Sequence, residues 1–146
     1  MGTISKNFSY AEFEKSETAE RYGICNVIRE FKVRDAIKAL DESVLQPLRD
    51  AYGKAMKVNS GYRCPELNRH PDIKGSATSQ HVKGEAADIH TGSQTETYRL
   101  AKLAKDLGLP YDQMILYPTF VHFSHKLEGT QRRVVLYNSS YKGRHV

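Results

Sequence analysis

Three side chains in two short stretches have the types and spacing to do chemistry. His81 and Asp88 lie in Ser79-Gln80-His81-Val82-Lys83-Gly84-Glu85-Ala86-Ala87-Asp88-Ile89, and His122 lies in Phe120-Val121-His122-Phe123-Ser124. Two histidines and a carboxylate are the donor types of a catalytic zinc site, which takes three protein ligands and leaves a fourth position for water or substrate. Asp88 enters a small, apolar run, and an unpaired buried charge is costly, so it needs a partner. A metal ion is one such partner. A lysine or arginine is another, in which case both histidines are ordinary hydrogen-bonded residues. A His and an Asp seven positions apart do not choose between these two readings.

The elements that must position these residues are legible as patterns. Ser9-Tyr10-Ala11-Glu12 is a capping box that opens a short helix running to about Ser16. Ala36, Ile37, Leu40, Val44, Leu45 and Leu48 recur at helical spacing and predict a helix from Val33 to Asp50. Pro47 falls inside it and predicts a break, with Pro47 to Tyr52 as a separate short helix. Lys57 to Arg63 reads as a strand ending at the Gly61 turn. Cys64 to Ser79 reads as a long irregular loop with at most a short helix over Pro65 to Arg69. Loops of that length in a compact domain are often functional.

Ala86 to His90 is the next predicted strand, and Thr95 to Leu107 is an amphipathic helix stopped by Gly108. Tyr111 to Tyr117 and Phe120 to His125 form a hairpin around Pro118-Thr119, and Arg132 to Tyr137 is a last strand. In the second hairpin strand, alternation puts Phe120, His122 and Ser124 on one face. The expected fold class is α+β, a single domain over residues 1–146 in which N-terminal helices pack on an antiparallel sheet that carries the metal site.

Composition bounds the rest. The chain has 146 residues, enough for one sizeable core, and no repeats or linkers. No apolar run approaches the roughly 18 residues of a spanning helix, so no membrane insertion is expected. The opening Met1-Gly2-Thr3-Ile4-Ser5-Lys6-Asn7-Phe8 lacks the apolar core of a secretory signal, which predicts synthesis in the cytoplasm and exit, if any, by lysis or in a particle. Cys25 and Cys64 are too few for a disulfide framework and read as reduced thiols. The net charge of +5 suits an acidic polymer, either nucleic acid or an anionic cell wall. Basic residues are spread along the chain, clustering only at Lys142-Gly143-Arg144-His145, so a nucleic-acid partner is not expected.

Taken together, Ser60-Gly61-Tyr62-Arg63, the stretch from Ser79 to Ile89, Tyr111-Asp112-Gln113 and Phe120-Val121-His122-Phe123-Ser124 resemble the zinc D-Ala-D-Ala carboxypeptidase family of peptidoglycan peptidases, which includes phage endolysins. Phe8-Ser9-Tyr10-Ala11-Glu12-Phe13, Gly23-Ile24-Cys25-Asn26 and Leu45-Gln46-Pro47-Leu48-Arg49 are similar to its bacterial and phage branch. The resemblance implies zinc bound by His81, Asp88 and His122, a peptidoglycan peptide stem as substrate, and a monomer acting on the cell wall after release. It also implies that Arg63 faces the substrate, where a guanidinium would stabilise the oxyanion. Ser79 either binds substrate or caps the loop. Zinc coordination would bring the pKa of a bound water toward about 7.

The chain departs from the family pattern at the general base. Related enzymes often carry a titratable residue three positions before the last ligand, where this chain has Thr119. Asp112 and His125 are the nearest titratable alternatives, and Asp112 is the candidate base. His125 points away from His122 in a regular strand, and Glu85 reads as a solvated loop residue. The absence of a base at position 119 keeps open a second reading: a non-catalytic zinc-binding structural or phage particle-associated module of the same fold.

Overall fold

The computed structural model describes residues 2–146. Short helices come first. Helix α1 (Tyr10–Glu14) opens on the expected capping box, with Ser9 N–H donating to Glu12 Oε2 at 2.8 Å. A second helix, α2 (Glu17–Tyr22), which the pattern did not predict, starts at an N-cap of its own. Ser16 Oγ accepts from the Ala19 amide at 3.1 Å, and Gly23 ends the helix at φ +66°.

The predicted break at Pro47 is resolved differently. Helix α3 (Phe31–Leu40) continues through a π-helical turn over Asp41–Leu45 into α4 (Gln46–Tyr52), whose first turn holds Pro47. Proline lacks an N–H and its ring crowds the carbonyl one turn back, so a wider turn ahead of it keeps the chain helical. Val44, Leu45 and Leu48 stay fully buried across the junction.

The sheet is built from β1 (Val58–Ser60), β2 (Ala86–His90), β3 (Gln113–Leu116), β4 (Phe120–Ser124) and β5 (Val134–Tyr137), in spatial order β1-β2-β4-β3-β5. Two further helices lie between strands: α5 (Pro65–Arg69) in the long loop and α6 (Gln94–Asp106) after β2. The α+β class holds. The sheet, however, is mixed rather than purely antiparallel, because β5 pairs parallel with β3. Both edges of β4 are taken by β2 and β3, and β4 ends at the level where β3 begins. The short connection 125–133 therefore delivers β5 to the free edge of β3 running in the same direction as β3.

Alternation divides the sheet into two faces. Ala87, Ile89, Met114, Leu116, Val121 and Phe123 are fully buried against the helices, with α6 packed on β3 and β4. Asp88, Gln113, Ile115 and His122 occupy the other positions and line a cleft on the opposite face.

The first strand is shorter than predicted because Gly61 passes against α1. A Cβ on Gly61 would lie 2.7 Å from Phe13 Cδ2 and 2.8 Å from Phe13 Cα, and the next amide, of Tyr62, donates to the Phe13 carbonyl. Only glycine permits this approach.

Candidate metal centre

Strand register sets two of the three candidate ligands. Asp88 on β2 lies directly across from His122 on β4. His122 Nδ1 is 2.9 Å from Asp88 Oδ1. The third, His81, comes from the turn before β2 and is held by the exit of β1. Its Nδ1 is 2.7 Å from the Gly61 carbonyl, and its Nε2 faces Asp88 Oδ1 at 3.4 Å. With a carbonyl as partner, Nδ1 carries the proton and donates, which leaves the Nε2 lone pair facing the cluster. This is the orienting contact that metal-bound histidines use. One donor atom from each of the three lies within 4.8 Å of the other two.

This donor set fits zinc: two imidazoles and a carboxylate, converging at one edge of a solvent-open cleft of about 490 Å³. Burial alone would raise the Asp88 carboxyl, but the two histidines hold it well below the ordinary carboxylate range. Asp88 is thus anionic across the physiological range, the state in which a carboxylate can coordinate a metal.

Arg63 lines the same cleft. Its backbone is clamped from both sides by buried Asn26, whose Nδ2 donates to the Tyr62 carbonyl at 2.9 Å and whose Oδ1 accepts from the Cys64 amide at 2.8 Å. The Arg63 amide in turn donates to the His81 carbonyl. Its Nη2 donates to Ser79 Oγ at 3.3 Å, while its Nε is buried with no partner. Burial lowers the guanidinium pKa, opposed by the nearby Asp88 and Tyr117. Ser79 Oγ also accepts from the His81 amide at 3.2 Å, so this hydroxyl both caps the ligand turn and holds the arginine.

Asp112 does not stand free as a base. It is fully buried, and Arg132 grips both carboxylate oxygens, with Nη2 to Oδ2 at 2.7 Å and Nε to Oδ1 at 3.1 Å. Burial favours its neutral form, but the hydrogen bonds from Arg132 outweigh that and pull its pKa down to about 2. A carboxylate held this way is a poor proton acceptor, and its evident work is fastening the 125–133 connection.

Thr119 is exposed, and its carbonyl receives the amides of Thr91 and Gly92. His125 is half-buried, with Nδ1 unpartnered. Glu85 is not a solvated loop residue either: it is half-buried, and its Oε2 accepts from the Leu127 amide at 3.0 Å. Cys25 and Cys64 are free thiols.

Residues that spacing did not single out also line the cleft: Gln80, Gln113, Tyr117 and Arg132. The signal for two of them was present, since Gln113, Ile115 and Tyr117 alternate along the hairpin strand and Ile115 lies across from His122. Tyr117 stacks on Phe120 with ring centroids 4.1 Å apart. Burial and then Asp88 raise its phenol pKa, against the pull of Arg63.

The sequence model of the Peptidase M15 family matches residues 6–124. The chain belongs to this family. Its members are zinc metallopeptidases of the D-Ala-D-Ala carboxypeptidase-like type, and the matched span contains His81, Asp88, His122 and Arg63. No curated protein matches the chain. No helix among the described residues is long and apolar enough to cross a membrane.

Proposed function

We propose that this M15 peptidase hydrolyses amide bonds in the peptide stems of peptidoglycan, working as a monomer on the cell wall after release from the cell that makes it, of phage or prophage origin. The observation that carries the reading is the convergence of His81, Asp88 and His122 in one open cleft that Arg63 also lines. The net charge of +5 suits an anionic wall.

Bound at this triad, zinc would activate a water and polarise the scissile carbonyl. The chain's own residues supply the rest. Ser79 and the Asn26 clamp hold Arg63 at the cleft, where its unpartnered Nε is available to an oxygen that gains negative charge. Tyr117, protonated at neutral pH, offers its Oη–H as a donor to the same oxygen or to the departing amine. Ile115 gives the cleft floor an apolar contact beside these groups.

The alternative, a zinc-binding module without turnover, is favoured by one observation: among the described residues lining the cleft, Asp88 is the only carboxylate. Zinc content measured together with release of new amino groups from purified peptidoglycan, with and without chelator, separates the two. The peptidase reading expects zinc and chelator-sensitive cleavage. It also expects Arg63→Ala to cut turnover by about 100-fold or more with zinc retained, and Tyr117→Phe to cost less. Zinc without cleavage across several wall types would establish the module instead.

A further inference from the structure

A second cleft, of about 560 Å³, adjoins the metal cleft and is larger than it. Thr78, Gln80 and Arg132 line both. Gln80 stands at the junction, its Nε2 within 3.2 Å of Asp112 Oδ2 and 3.4 Å of Glu85 Oε1, so the shared wall is a fixed side chain. The two clefts therefore lie side by side, with Thr78, Gln80 and Arg132 between them.

Its lining has a definite chemistry. Val33 and Ala36 from α3, with Val82 and Leu127, give apolar contacts. Lys32 and Lys83 line it together with Glu30 and Glu128. None of these four takes part in an ion pair among the described residues, so charges of both signs are free to meet a ligand. No aromatic side chain lines this cleft, so a sugar ring finds no face to stack on. Small apolar contacts flanked by separate positive and negative charges suit a peptide that carries methyl side chains, free carboxylates and a free amine.

From this geometry, and resting on the peptidase reading above, we infer that the second cleft binds the part of the substrate's peptide that lies beyond the leaving amine of the scissile amide. The enzyme then cuts inside an extended or cross-linked peptide rather than trimming a terminal residue. A site that only removed a terminal residue would need no room for peptide beyond that residue. Here the substrate passes Gln80 and continues over Val82 and Leu127.

Two measurements test this. The first compares a monomeric stem peptide with the cross-linked dimer of stems, both prepared from digested peptidoglycan, using the zinc-loaded enzyme. The wild type is expected to show a lower KM for the dimer, and the Lys32→Glu, Lys83→Glu double variant is expected to raise the ratio of dimer KM to monomer KM by about fivefold. An unchanged ratio overturns the inference while leaving the peptidase reading intact. The second adds the dimer to the zinc-loaded Arg63→Ala variant, in which turnover is slowed, and follows backbone amide resonances. Shifts at Val33, Ala36 and Leu127 support the cleft even if no substrate is hydrolysed, whereas shifts confined to residues around His81 and His122 overturn it. A wild type that binds the dimer at Ala36 and Leu127 yet cleaves neither substrate would overturn the peptidase reading alone.

Discussion

Asp88 and Asp41 are both enclosed by the fold, one on the open face of the sheet and one in the helical layer, and their surroundings drive them in opposite directions. Asp88 faces two imidazoles across a cleft and is held anionic. Asp41 sits in the π-helical turn, fully buried, with neither carboxylate oxygen hydrogen-bonded. Burial pushes its carboxyl up to about 6, helped by Glu42 and Glu12, while the Ser5 hydroxyl is taken up by Gln46 Oε1. The two sites show that enclosure by itself raises a carboxyl pKa, and that only directed partners reverse it. Asp112 makes the same point: equally buried, it is pulled low because Arg132 reaches both of its oxygens.

The contrast breaks most severely at Asp88. Asp88→Ala removes the atom toward which both histidines point, and metal analysis is expected to fall from about one zinc per chain to near none, with the chain still folded by circular dichroism. Retention of stoichiometric zinc in that variant would mean that the ligand set is wrong.

Asp41→Asn should act with the opposite sign. The folded pKa of about 6 lies above the unfolded value of 3.8, so wild-type stability is fully present below about pH 4 and is lost as pH rises through 6. The Asn variant escapes that loss. Urea unfolding should find it more stable than the wild type by on the order of 2 kcal/mol at pH 7, with the gain vanishing near pH 4. Destabilisation at pH 7 would reveal a partner for Asp41 in solution.

The smallest effect is expected at Arg132, which is half exposed and therefore screened. Arg132→Gln should lower stability only slightly above pH 4, because Lys126 and the backbone amide of residue 132 still face Asp112. Asp112 titrates lower in the fold than in the unfolded chain, so its contribution is present above about pH 4 and is lost as pH falls toward 2. The gap between wild type and variant should close over that same interval. A gap independent of pH would assign the loss to packing.

Much of this arrangement was readable before the fold was known. The β2 strand spans the predicted Ala86 to His90, the short helix in the long loop spans Pro65 to Arg69, and the capping box opens α1 at the expected residue. Each of these depends on residues within a few positions of one another. The π turn was missed because a proline inside a helical pattern can break the helix or widen it, and the burial of Val44, Leu45 and Leu48 on both sides decides which. The parallel pairing of β5 was missed because direction depends on which sheet edge remains free.

The site divides along the same line. Residue types alone identified His81, Asp88 and His122 as a possible donor set, and the family resemblance nominated Arg63, because these signals sit in short contiguous motifs. The role of Asp112 did not lie in its own neighbourhood. Its partner, Arg132, is twenty residues away and returns by way of the β4–β5 connection. Tyr117 and Gln80 likewise join the cleft only once β3 and the His81 turn are in place. Sequence by itself determined most of the elements, the alternation of faces and the candidate donor types, since those follow from local sterics and polarity. Which groups meet, and hence which carboxylate faces two imidazoles, which is an anchor and which an unpartnered burden, was decided by tertiary structure, because strand register and loop closure set the distances on which charge and hydrogen bonding depend.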